Sequence, residues 1–327
     1  MGDHLRDLGM AAERKKNNLS AADFHKRACM YYQLGERFRT PKDKKANAVY
    51  RKSLDCFARF MRLTDRARIE KVELPFEKGK KLPAYLVHAQ NTKKAKPPVV
   101  VFFDGFDVSK EIQYVMAAED LIRRGMSVLL VDAPGNGEAI RFRNLYLRHD
   151  HEVAGSAALN YLEKRKDVNA KQAGVMAISL GGYYAPRNAS MERRFKACVA
   201  WGAQWDYQRI WKDRISAAYK TALSVPGHHL SWIFNVKTMD EALVKLEGFK
   251  LGGVVEKMRC PFLIVHGEDD QQISMSVARR LFNAAGSKDK TLKVFTGKEG
   301  GAQHCHMDNV PLGVSYISDW LREKLKA

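Results

Sequence analysis

Residues 177–182 read Ala-Ile-Ser-Leu-Gly-Gly, directly after the apolar stretch Ala173-Gly174-Val175-Met176. An apolar run that breaks into a tight turn, presents a serine and then opens a helix predicts a nucleophile elbow centred on Ser179. Such an elbow forces the serine into a strained backbone conformation. Its neighbours two before and two after must therefore be very small, and here they are Ala177 and Gly181. The pattern demands a strand on one side of the turn and a helix on the other.

Two further strand ends follow in order. Phe262-Leu263-Ile264-Val265 runs into His-Gly-Glu-Asp-Asp-Gln-Gln-Ile at 266–273, which puts Asp269 and Asp270 at the C-terminal end of a buried strand. Leu292 to Thr296 then reads as the last strand and runs into a glycine-rich loop, 297–306, that carries His304. Ser, then Asp, then His, each after its own strand, is a chain order known for a serine-based triad. A serine hydroxyl needs a base within hydrogen-bond reach and a third group to hold that base. Ser179, His304 and Asp270 are the candidates, with Asp270 preferred to Asp269 by its offset from His266-Gly267. His266 reads as a packing residue, and His306 is a rival base two positions from His304.

The charge of a tetrahedral intermediate needs pre-aimed donors. The backbone N–H of Leu180 is one candidate. The second is the N–H of Phe106 in the Asp-Gly-Phe-Asp loop (104–107) that follows the apolar run Val99–Phe103. Asp107 of that loop and Trp205, Asp206 and Asp213 further on are candidate substrate contacts. The stretch Asp-Ala-Pro-Gly-Asn-Gly-Glu-Ala at 132–139 is not a phosphate loop, because no Gly-Lys-Ser/Thr follows, and reads as a strand-end turn at the rim of the site. No Cys/His set has zinc spacing, so no metal or nucleotide cofactor is expected.

Strands alternating with helices from Ile69 onward predict a doubly wound, mostly parallel sheet. Val72–Leu74 and Leu82–Val87 read as paired strands, Val99–Phe103 as a strand buried on both faces, Glu111–Arg124 as a helix, and Met126–Val131 and Ala197–Trp201 as further strands. The expected organisation is an N-terminal helical region (1–65), a first part of the α/β core (66–202), an inserted helical cap (203–257) and the rest of the core (258–327). In the helical region, Ser20–Asp23 suggests one helix start, with Phe24, Ala28, Tyr31 and Phe38 on one face. Thr40-Pro41-Lys42-Asp43 suggests another, followed by the stripe Ala46, Val49, Tyr50, Leu54, Phe57 and Met61. The cap carries Trp205, Tyr207, Trp211, Tyr219 and Trp232 and the helix-like Met239–Leu251, and Val314–Leu325 closes the chain as an amphipathic helix.

No apolar run approaches the roughly 18 residues of a membrane span, and the N-terminus lacks signal-peptide and myristoylation patterns. The five cysteines, Cys29, Cys56, Cys198, Cys260 and Cys305, are scattered, which points to free thiols in a reducing, cytoplasmic setting. The net charge of +19 raises nucleic-acid binding, but the basic residues are dispersed and no nucleic-acid module surrounds them. A solvated basic surface, able to steer an anionic or phenolate substrate, is the expectation, and neither a nucleic-acid nor a membrane partner is expected. A homodimer through the helical segments is a further expectation.

The chain resembles the α/β-hydrolase family that contains 2,6-dihydroxypseudooxynicotine hydrolase and the fungal yellowish-green polyketide-shortening hydrolases. The likeness runs through Tyr-Tyr-Gln-Leu-Gly-Glu-Arg-Phe (31–38), Asp132–Glu138, Ser-Leu-Gly-Gly-Tyr-Tyr (179–184), Arg-Cys-Pro-Phe-Leu-Ile-Val-His-Gly (259–267) and Gln-His-Cys-His (303–306). The resemblance implies an α/β-hydrolase fold with a cap, a nucleophile, acid and base at Ser179, Asp270 and His304, and hydrolysis of a carbon–carbon bond beside a ketone in an aromatic or polyketide-like substrate. An esterase or lactonase with the same triad is the alternative. It also raises an assisting acid in the cap, for which Asp206 and Asp213 are the nearest residues.

Overall fold

A computed structural model describes residues 1–216 and 228–327. Tyr219 lies outside them. The chain divides into two compact units, Met1–Glu70 and Lys71–Ala327, and the segment 203–257 falls inside the second.

The first unit holds α1 (Gly2–Arg14), α2 (Asn18–Arg37) and α3 (Lys44–Leu63). The helix starts differ from the sequence expectation. α2 begins with Asn17 at its cap position, so Ser20 lies inside the helix. α3 is capped by Asp43, whose carboxylate accepts the Ala46 N–H at 2.8 Å. Asp43 stands three residues ahead of that amide, the reach an N-cap side chain needs, whereas Thr40 stands six ahead. The buried face of α2 passes through Ala21, His25, Ala28 and Tyr32, leaving Tyr31 and Phe38 exposed. In α3 it passes through Ala46, Tyr50, Ser53, Phe57 and Phe60. Glu13 of α1 gathers His25 at 2.6 Å and Arg59 and Arg62 at 2.8 Å each.

The second unit is built on an eight-stranded sheet in the order β1-β2-β4-β3-β5-β6-β7-β8, among the described residues. The strands are β1 (Ile69–Pro75), β2 (Lys81–Val87), β3 (Pro98–Phe103), β4 (Ser127–Val131), β5 (Asn169–Ile178), β6 (Ala197–Trp201), β7 (Phe262–Gly267) and β8 (Lys290–Phe295). β2 pairs antiparallel with β4, and β3 to β8 pair in parallel. Every residue of β3, β4, β6 and β7 is buried, as continuous apolar runs in a sheet covered on both faces should be. Each Val, Leu, Ile or Phe buried there contributes about 1.5–3 kcal/mol.

Among the described residues, the helices of this unit are α4 (Lys110–Gln113), α5 (Glu119–Arg123), α6 (Gly137–Arg143), α7 (Glu152–Leu162), α8 (Gly181–Met191), α9 (Tyr207–Ser216), α10 (His228–Phe234), α11 (Met239–Lys245), α12 (Met275–Ala284) and α13 (Val310–Lys324). The expected helix over 111–124 is broken into α4 and α5 by a wide π turn, Tyr114–Ala118. α9 to α11 lie in the described part of segment 203–257. α11 starts at a capping box between Thr238 and Glu241 and stops at Lys245, giving way to a 3-10 turn at Leu246–Gly248. Strand order reverses between β3 and β5, the switch point where open α/β sheets present their sites.

Candidate active site

β5 ends at Ile178 and α8 begins at Gly181, so Ser179 occupies the turn between them. Its φ is +60°, a left-handed conformation that is rare for a residue with a side chain. The turn is pinned on both sides: Ser179 N–H donates to the Trp201 carbonyl at 2.8 Å, and Gly182 N–H donates to the Ser179 carbonyl at 2.8 Å. A Cβ placed on Gly181 would stand 2.5 Å from the Ala177 Cβ. The two small residues face each other across the elbow, and this packing leaves room for one methyl group only.

The histidine and the acid arrive from neighbouring strand ends. His304 opens a short turn, His304–His306, after β8. Asp308 shapes the loop before it, accepting the Ala302 and Gln303 N–H groups at 3.0 and 3.1 Å. His304 Nε2 lies 2.9 Å from Ser179 Oγ, and His304 Nδ1 lies 2.7 Å from Asp270 Oδ2. Asp270 follows β7, and its other oxygen accepts the Gln272 and Ile273 N–H groups at 2.8 and 3.0 Å. The three side chains form one hydrogen-bonded chain from hydroxyl to imidazole to carboxylate.

Electrostatics separate this histidine from its neighbours. Burial opposes the His304 cation, but the Cys305 sulfur and the Asp270 carboxylate outweigh it and raise the basicity of His304 above its ordinary value. Burial pushes the Asp270 carboxyl up, and the hydrogen bond and charge of His304 reverse the push, leaving it below the usual carboxylate range. Burial lowers both His266 and His306. His266 uses Nε2 on the Ile273 carbonyl at 2.9 Å and Nδ1 on the Ala203 N–H at 3.3 Å. His306 turns Nδ1 to the Gly301 carbonyl at 2.7 Å and packs its ring on Trp201 and Phe295. Asp269 keeps its backbone N–H on the Ala302 carbonyl at 2.9 Å, and its neighbour Asp270 is the acid that meets His304.

Leu180 is buried at the N-terminus of α8, one residue after Ser179. The loop after β3 comes close beside it. A Cβ on Gly105 would stand 3.0 Å from the Ser179 Cβ and 3.5 Å from the Leu180 nitrogen, so only glycine permits this approach. Phe106 follows, its ring 5.8 Å from that of Trp211 and 6.4 Å from that of Tyr207. Both partners belong to α9, so this helix lays an aromatic cluster against the loop.

The other expected substrate contacts have different surroundings. Asp107 is fully buried, with Arg141 Nη1 at 2.9 Å and His229 Nδ1 at 3.3 Å from its oxygens. The Arg141 guanidinium lies over the Trp232 ring at 5.1 Å. Trp205 packs against Arg280, whose guanidinium carbon is 4.6 Å from the ring centre. Asp206 accepts the Arg209 N–H at 3.1 Å, at the start of α9. Asp213 has a side chain that is 64% exposed and pairs with Arg209 at 3.0 Å, as an i, i+4 pair on one helix does. Arg141 and His229 were not singled out by the sequence, because nothing local marks a charge that becomes buried by partners far along the chain.

Residues 8–326 match the family described as Esterase FrsA-like. Among curated proteins, the chain is 28% identical to 20-hydroxy-prefusarin hydrolase FUS2 of Gibberella moniliformis over 332 residues, covering 90% of this chain and 79% of that protein. It is 28% identical to 2,6-dihydropseudooxynicotine hydrolase of Paenarthrobacter nicotinovorans over 234 residues, covering 70% of this chain and 58% of that protein. Among solved structures, 2,6-dihydroxy-pseudo-oxynicotine hydrolase superposes with a TM-score of 0.83 at 22% identity, covering 99% of this chain and 86% of the other. With a doubly wound sheet, a serine elbow at its switch point and a family match across nearly all its length, this chain belongs to the FrsA-like esterase family and is a hydrolase of the α/β-hydrolase fold.

Proposed function

We propose that the protein is a serine hydrolase that works through an acyl-enzyme, with Ser179 as nucleophile, His304 as base and Asp270 as the group that orients His304. The observation that carries this reading is the unbroken hydrogen-bonded chain of 2.9 and 2.7 Å through His304 to a serine held at positive φ. His304 Nε2 takes the hydroxyl proton as Ser179 Oγ attacks a carbonyl carbon. The Phe106 and Leu180 N–H groups receive the oxyanion. The intermediate collapses by breaking the bond to the leaving carbon. That carbon departs as an enolate or a phenol-stabilised carbanion and takes the proton from His304. Water then attacks the acyl ester, gives its proton to His304 and releases a carboxylic acid, and the proton returns to Ser179.

The substrate class is a ketone in an aromatic or polyketide-like molecule, cleaved at the adjoining carbon–carbon bond. Support comes from the likeness to hydrolases named for prefusarin and pseudooxynicotine substrates, and from the rings of Phe106, Tyr207 and Trp211 grouped beside the elbow. The family description favours a second reading, an esterase with the same acyl-enzyme route. A fluorophosphonate should label Ser179 in the wild type and not in Ser179→Ala. Turnover of an aryl β-diketone should then exceed that of a matched aryl ester. Ester turnover alone selects the second reading, and absence of labelling removes both.

A further inference from the structure

Asp132–Glu138 is a sequence motif that the reaction scheme leaves unused. Asn136 stands at the cap position of α6, where asparagine ordinarily binds the first turn of its own helix, yet its side chain makes no such bond. Asp132 does that work instead: one oxygen accepts the Glu138 N–H at 2.8 Å and the other accepts the Lys110 N–H at 2.9 Å. Asn136 reaches the opposite way. Its Nδ2 donates to the Gly105 carbonyl at 2.8 Å and to the Val108 carbonyl at 3.2 Å. The residue is 1% exposed, and its Oδ1 meets no donor among the described residues, so Asn136 acts here as a donor to the loop after β3. Gly137 N–H adds a bond to the same Val108 carbonyl at 3.1 Å.

The Gly105 carbonyl and the Phe106 N–H belong to one peptide unit. The unit is trans and planar, so its C=O and N–H leave from opposite edges, and fixing one fixes the other. Gly105 is also the residue pressed against Ser179 and Leu180. We infer that Asn136 is a positioning residue for the oxyanion site: its amide holds the Gly105–Phe106 peptide plane so that the Phe106 N–H faces the developing negative charge, an inference that rests on the hydrolase reading of Ser179. Without that bond the plane can turn over and present a carbonyl oxygen to the anion, which repels it.

The test compares wild type, Asn136→Ala and Asn136→Asp in hydrolysis of p-nitrophenyl acetate and in binding of phenyl trifluoromethyl ketone, which adds reversibly to an active serine. Loss of one oxyanion donor typically lowers kcat by about 100-fold or more, and a misaimed donor should lower it by at least about 30-fold in both variants. KM should stay within about threefold, because the ground-state carbonyl gains little from this donor. Ketone affinity should fall in parallel with kcat, since the bound adduct carries the oxyanion. The acid limb of the pH profile should not move. Asn136→Asp should be at least as impaired as Asn136→Ala, because a carboxylate can only accept and would face two carbonyl oxygens. A loss confined to KM, or ketone affinity that holds while kcat falls, overturns the inference.

Should neither variant fold, the wild type decides. With phenylalanine labelled by heavy nitrogen, ketone addition should move the Phe106 amide proton downfield, and a resonance that stays in place overturns the inference. A wild type that neither turns over the ester nor binds the ketone sinks the hydrolase reading and this one with it. An active wild type matched by Asn136→Ala sinks the positioning role alone.

Discussion

At Ser179, one imidazole links a hydroxyl to a carboxylate, and the consequence is a pH dependence with a definite sign. The base must be neutral to accept a proton. His304 holds its proton more tightly than an ordinary histidine, so the protonated, inactive form persists to higher pH. The acid limb of kcat/KM should therefore lie above the ordinary histidine value of about 6.5, with activity rising as pH increases through it. A limb at or below that value in an initial-rate profile counts against His304 as base in this environment. Asp270→Asn keeps the shape of the acid but not its charge, and kcat should drop about ten-thousand-fold. A loss of less than about tenfold in steady-state rates would show that Asp270 does not orient His304. The sequence carried these residues openly, since each of the three follows its own apolar strand and the local pattern marks the strand end. The expected contacts Asp206 and Asp213 were not separable in that way. What sets Asp213 apart is its pairing with Arg209 one helical turn earlier, and that depends on which face of α9 turns to solvent.

At the scale of elements, the elbow depends on how closely α8 follows β5. Gly181 and Ala177 share one small volume, so an alanine at 177 is tolerated only while residue 181 has no side chain. Gly181→Ala should push the start of α8 off β5, lowering kcat by about tenfold or more and stability by about 1–3 kcal/mol, the usual penalty of an overpacked site. Adding Ala177→Gly should recover most of both losses. The coupling is read from a double-mutant cycle in kinetics and chemical unfolding, and simple additivity would show that the two residues do not compete for space. The parallel strands were readable because burial on both faces requires continuous apolar runs. Helix starts in the first unit were not, since Ser20, Thr40 and Asp43 are all acceptable caps and three-dimensional packing selects among them. The π turn in 114–118 and the clamp on the loop after β3 were also hidden, because both are set by neighbours rather than by local sequence.

For the whole molecule, the net charge of +19 is the dominant electrostatic fact. Many of the ion pairs lie at the surface, where each contributes about 0–1 kcal/mol, and the unmatched cations repel one another across the remainder. Salt at about 0.1 M shrinks the range of that repulsion to about 10 Å. The melting midpoint should therefore rise between low and moderate ionic strength in scanning calorimetry, and a fall would mean that the ion pairs outweigh the repulsion. The backbone of Ser179 acts in the contrary sense. A left-handed torsion in a residue with a side chain disfavours the native state by about 1–2 kcal/mol, and glycine would remove that burden. Ser179→Gly should accordingly melt higher than the wild type while turning over nothing. Any laboratory search for heat tolerance that omits a catalytic screen would be drawn to this position, and its winner would be a robust and silent protein.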